Sequence, residues 1–168
     1  MDELQKKIVD YVEANGKTYQ QIALEIHEKP EVSNYEFFAS KRLADQIKSV
    51  GFEVEMPAAG HRTGFAASYK SGKPGPVMVF LAEYDALVGL GHGCGHNLFG
   101  ATSSLAAAAL KSVIDEVGGE GRLYGTPERK AEKMEVQREV SSVRATLRTS
   151  MRHFPHIRAL AISLPQRH

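Results

Sequence analysis

The sequence lacks tryptophan altogether and has one cysteine, Cys94, among 168 residues. A single cysteine excludes a disulfide scaffold and a four-cysteine zinc finger. Long apolar runs are missing too: the longest, around Leu105 to Leu110, falls far short of the roughly 20 residues that cross a bilayer. The N-terminus, Met1-Asp2-Glu3, is acidic and resembles no secretory segment. Neither sign of charge dominates, with 21 Lys and Arg against 20 Asp and Glu. That balance argues against a nucleic-acid or membrane-surface partner. These absences point to a protein of a reducing compartment, the cytoplasm. What is present, 42% hydrophobic residues over a domain-length chain, is enough for one domain with a core and excludes a wholly disordered chain.

Other absences are local. Residues 128–168 contain no Gly, Asp, Asn or Tyr, and all 15 glycines precede them. At ordinary usage, about three glycines would be expected in a stretch of that length. Charge breaks at the same place: residues 1–127 carry a net −4 and residues 128–168 a net +5. The chain therefore divides into an acidic body, 1–127, and a basic tail, 128–168.

Within the body, hydrophobic spacing predicts a helix over 3–14, stopped by Asn15-Gly16, and a second over 18–28, ended by Pro30. A third helix is expected from an Asn34 cap through Val50, with Gly51 as its stop. Alternation then predicts strands over 52–56 and 63–69. Val77 to Ala82 is a continuous apolar run, expected as a buried central strand. Its end delivers Glu83, Tyr84 and Asp85. A glycine-rich stretch, Gly89 to Gly95, leads into a helix of small residues from about Leu98 to Val117, and Arg122 to Gly125 reads as one more strand. This order implies an α/β layer sandwich with its ligand site where strands end.

The chemistry is concentrated in Ala82-Glu83-Tyr84-Asp85-Ala86-Leu87 and Gly91-His92-Gly93-Cys94-Gly95-His96-Asn97. Two carboxylates close a buried strand, and a thiol and two imidazoles follow within about a dozen residues. Cys94 and His96, two positions apart, could reach one divalent ion such as Zn²⁺. The helix that follows would favour a thiolate at its N-terminal end. Two ligands do not complete a metal site, so a nucleophilic Cys94 with His92 or His96 as base stands as the rival chemistry.

These two segments resemble the metallo-amidohydrolases of the M20 peptidase family, in the branch of aminobenzoyl-glutamate hydrolase subunits and dipeptidase-like M20 domain proteins. The resemblance runs from about residue 20 to Pro127. It includes His27-Glu28-Lys29-Pro30-Glu31, Thr63-Gly64-Phe65-Ala66-Ala67 and Gly125-Thr126-Pro127. It implies the N-terminal part of a zinc-exopeptidase-like catalytic domain, a three-layer α/β sandwich. It further implies that Cys94 and His96 are metal ligands and that Asp85 orients a metal-bound imidazole. The family hydrolyses a small amide or dipeptide-like substrate with a divalent metal, Zn²⁺ or Mn²⁺, with Co²⁺ also compatible. Its base and a further ligand come from a Glu-Glu pair soon after Gly-Thr-Pro, and full-length relatives leave room for a homo-oligomer.

Here the pattern departs. Gly-Thr-Pro-Ala-Glu-Glu-Gly-Gly is replaced by Gly125-Thr126-Pro127-Glu128-Arg129-Lys130, which sets two cations where the glutamates belong. Glu128 is the nearby carboxylate that could slip into the base role. Residues from 128 onward, read in the neighbouring frame with permitted codons, give Glu-Glu-Gly-Gly-Glu-Asn-Gly-Ser-Ala-Lys-Gly-Ser-Phe-Val. The expectation is a frameshift-derived, poorly ordered tail in which His153 and His156 are accidental. The other reading of the tail is a basic helix over Met134 to Arg148. A truncated, inactive amidohydrolase is expected, and the alternative is a non-catalytic α/β protein partnering a full-length paralogue.

Overall fold

Asp2 opens the first helix through a capping box: its carboxylate accepts the Gln5 amide at 2.7 Å, and the Gln5 side chain accepts the Asp2 amide at 3.1 Å. The computed structural model describes residues 2–127. The expected tail helix, the expected low order after residue 127, and Glu128, His153 and His156 lie outside the described residues. The elements in chain order are α1 (Glu3–Glu28), α2 (Phe37–Ser49), β1 (Glu53–Glu55), β2 (Phe65–Lys70), β3 (Val77–Glu83), α3 (His96–Val117) and β4 (Glu120–Thr126).

Two helix boundaries differ from expectation. The stop at Asn15-Gly16 does not occur, and α1 is one helix of 26 residues. Asn15 donates its side-chain amide to the Tyr11 carbonyl at 2.9 Å and stays helical. The interior glycine costs about 1 kcal/mol, and burial of Tyr19, Ile22, Ala23 and Ile26 outweighs it. The second difference concerns α2, which begins at Phe37 rather than beside Asn34. Asn34 takes a left-handed backbone conformation (φ 66°) outside the helix. The capping anion is Glu31, whose carboxylate accepts the Phe38 and Ala39 amides at 2.9–3.0 Å.

The strands form one mixed sheet in the order β1-β2-β4-β3. β1 and β2 pair antiparallel, as do β2 and β4, while β3 and β4 run parallel with α3 as their crossover. Register sets Ala67 and Phe80 beside Leu123, on one sheet face. That face meets Leu43 and Ile47 of α2 and Ala107 and Ala108 of α3 in the core, and α1 packs along α3. The fold is α/β, and the described residues build the sheet and one helical side of the expected sandwich.

β3 is not a central strand among the described residues. It ends the sheet, with Met78 44% and Leu81 42% exposed. A continuous apolar run reports surface that needs cover on both faces; it does not say which neighbour provides it.

Candidate functional site

The site lies where β3 ends and α3 begins. Parallel pairing with β4 carries Glu83, at the end of β3, out beside Thr126. Residues 83 and 85, two apart along an extended segment, point the same way. The loop then folds on itself: Leu87 donates to the Gly91 carbonyl at 2.8 Å, and the Gly91 amide donates back to Leu87 at 3.0 Å. Gly95 closes the loop as the residue preceding α3, with φ 82°, a conformation costly for residues with a Cβ. Gly100, one turn into α3, lets the helix approach the strand end. A Cβ there would lie 2.9 Å from the Glu83 carbonyl oxygen.

This geometry brings His96 between two carboxylates. Its Nδ1 donates to Asp85 Oδ1 at 2.6 Å, and its Nε2 faces Glu83 Oε2 at 3.1 Å. All three side chains are largely buried, at 15–20% exposure. With Asp85 as acceptor Nδ1 carries a hydrogen, while Nε2 lies against the Glu83 carboxylate. Glu83 is the participant to which the sequence reading assigned no role. The signal was its alternate position on the strand relative to Asp85.

Cys94 is exposed on the loop. No hydrogen bond joins its thiol to His92 or His96 among the described residues, so the activated thiol–imidazole pair of a cysteine nucleophile is not formed. His92 is only 7% exposed and lies beside His27, with ring centroids 6.1 Å apart and the rings tilted by 35°. Neither of its ring nitrogens has a hydrogen-bond partner among the described residues. Burial pushes its pKa below the ordinary histidine value.

The chain is 37% identical over 146 residues to a p-aminobenzoyl-glutamate hydrolase subunit of Escherichia coli (strain K12), a match covering 76% of this chain and 30% of that protein. It is 32% identical over 121 residues to thermostable carboxypeptidase 2 of Saccharolobus solfataricus, covering 64% of this chain and 30% of that one. Among solved structures it superposes on the YXEP protein of Bacillus subtilis, a dinuclear metal binding peptidase from the M20 family. The TM-score is 0.60 and the identity 25%, with 68% of this chain and 36% of that one covered. The chain is a partial member of the M20 peptidase family. It spans about 30% of the length of the curated relatives it matches. No family model matches the chain.

The metal of the M20 neighbour raises the question of what these residues could hold. Cys94 and His96 are donors of the kind a borderline-soft dication takes, and the Asp85 carboxylate lies 2.6 Å from His96 Nδ1. Among the described residues no group of three or more His, Cys, Asp or Glu side chains is arranged to hold a metal ion. The described residues therefore do not assemble a metal site, and Cys94 and His96 would make two of the three or four donors that a closed site needs. No described helix is long and apolar enough to cross a membrane.

Proposed function

We propose that residues 1–127 are the N-terminal part of an M20-type catalytic domain whose ancestral reaction is hydrolysis of a small amide, an N-acyl amino acid or a dipeptide-like substrate. The observation that carries this reading is the 2.6 Å Asp85–His96 pair at the carboxyl end of β3, with Cys94 two residues before His96 in the chain. On this reading Cys94 and His96 are ligands of a divalent metal, Zn²⁺ or Mn²⁺, and Co²⁺ is a usable probe. When bound, such an ion polarises the amide carbonyl and makes a water more acidic. Asp85 holds the Nδ1 proton and keeps Nε2 available. Glu83 faces Nε2 and must yield that position to a ligand. The loop leaves Cys94 open to solvent and to an incoming ion.

We further propose that residues 128–168 arise from a frameshift and that the chain as given turns over negligibly. Glycine usage and net charge both break at residue 128. Arg129 and Lys130 stand where the M20 pattern has its glutamate pair, and the candidate base Glu128 falls in this tail. The nucleotide sequence across codons 125 to 160 tests the frameshift; codons that do not read as M20 sequence in the neighbouring frame defeat it.

Metal titration tests the site. Co²⁺ added to the purified chain should bind weakly, with a thiolate-to-cobalt absorption band. Cys94→Ser should abolish that band, and Asp85→Ala should weaken binding about 10- to 100-fold. Amidase turnover by the purified chain that Cys94→Ala abolishes would overturn the reading of inactivity. A titration without any thiolate band would remove Cys94 as a ligand.

A further inference from the structure

Asp85 leaves β3 between two residues that are both tied to the α1–α2 connection. On one side Tyr84, fully buried, donates its hydroxyl to the Thr63 carbonyl at 2.6 Å. Thr63 is 1% exposed and donates its own hydroxyl to Glu36 Oε2 at 2.7 Å. Glu36 Oε1 in turn accepts the Asn34 amide at 2.9 Å. On the other side the Ala86 amide donates to the Glu31 carbonyl at 2.7 Å, next to a parallel bridge between Val32 and Ala86. Segment 31–36 therefore grips the chain immediately before and immediately after Asp85.

Glu36 is the unexpected member of this grip. It is a fully buried carboxylate, and no cation pairs with it among the described residues. Such a group is expensive to bury. Burial pushes its carboxyl above the ordinary range, although the Thr63 hydroxyl and two backbone amides pull it down. Capping of α2 does not account for it, because Glu31 already accepts the Phe38 and Ala39 amides. Besides holding the Asn34 amide, the Glu36 carboxylate places Thr63, and through Thr63 it places Tyr84.

We propose that Glu36 is a positioning residue for the Asp85–His96 pair: it fixes Thr63, Thr63 fixes the Tyr84 hydroxyl, and Tyr84 sets the direction in which Asp85 meets His96. The proposal deepens the reading of Asp85 as the residue that orients His96, and it rests on that reading.

The test uses the full 168-residue chain with ¹⁵N-labelled histidine at pH 8. Long-range ¹H–¹⁵N spectra report which nitrogen of His96 carries the hydrogen, Co²⁺ titration reports affinity, and thermal melts report stability. The wild type should show His96 with its hydrogen on Nδ1. Glu36→Ala should give a mixture of tautomers and about tenfold weaker Co²⁺ binding. Glu36→Gln should restore both, because its carbonyl can accept the Asn34 amide while the Thr63 hydroxyl accepts from its NH₂ group. Tyr84→Phe, which removes one hydroxyl, should act like Glu36→Ala and carries the test if Glu36→Ala fails to fold. A Glu36→Ala or Tyr84→Phe chain that melts earlier, yet keeps the wild-type tautomer and Co²⁺ affinity, overturns the proposal. A wild type that binds no Co²⁺ defeats the metal reading alone; the tautomer spectra still decide the role of Glu36.

Discussion

His92 and Glu36 are both buried ionisable groups, and the protein handles them in opposite ways. His92 has no described hydrogen-bond partner, and burial favours its neutral ring. Glu36 has partners for both oxygens and still has its carboxyl raised above the ordinary value of 4.5. A raised acid pKa means that folding favours the protonated form. Its contribution to stability is complete below the ordinary carboxyl range and is lost as pH rises through the raised value. Glu36→Gln removes this dependence. The melting temperature of Glu36→Gln minus that of the wild type should be smallest near pH 4 and should grow in favour of Gln toward neutrality. Melts of the two chains at matched pH check this, and a difference that shrinks with rising pH contradicts it. At this scale the sequence was legible where partners are close along the chain. Asp85 and His96 are 11 residues apart, on either side of one glycine-rich loop, and both were read from the segment alone. Glu36 finds Thr63 27 residues away across the fold, so no local pattern announces the pair.

Among the elements, α1 and β3 teach different lessons. α1 runs through Asn15-Gly16, a pair that stops many helices, because tertiary burial of Tyr19, Ile22, Ala23 and Ile26 just after the pair outweighs a local preference. Gly16 has helical backbone geometry and open space where a Cβ would stand. Gly16→Ala should therefore stabilise the chain by about 1 kcal/mol, read as a higher denaturation midpoint with an unchanged slope. A lower midpoint would mean that the glycine serves packing not visible from its Cβ direction. β3 was legible as a strand but not as the end of the described sheet. Apolar residues at successive positions state that both faces are to be covered, and a pairing partner leaves no local signature. The start of α2 was misplaced for a related reason: its cap, Glu31, comes from beyond Pro30 rather than from the residue next to the helix.

At the level of the whole molecule, the body and the tail carry opposite net charge, −4 for residues 1–127 and +5 for residues 128–168. The described core draws on residues from Tyr19 to Leu123. A chain ending at Pro127 should keep the melting temperature and helical circular dichroism of the full chain, and should bind an anion exchanger that the full chain passes at neutral pH. A loss of cooperative unfolding would show instead that the tail is part of the folded unit, and would count against its frameshift origin. Pro127 itself is tied in, since its carbonyl accepts the Ser33 hydroxyl at 3.0 Å, so the cut falls just after an anchored residue.

Gly95 separates the two proposed donors into different mechanical settings. His96 belongs to a 22-residue helix and is braced by Asp85, so its nitrogen arrives at a fixed place. Cys94 stands exposed on the loop, with no side-chain hydrogen bond holding it among the described residues. One rigid jaw and one compliant jaw grip objects of differing size with little penalty. Discrimination among Zn²⁺, Mn²⁺ and Co²⁺ would then follow the supply of each ion and the softness of the thiolate more than the width of the gap between the donors.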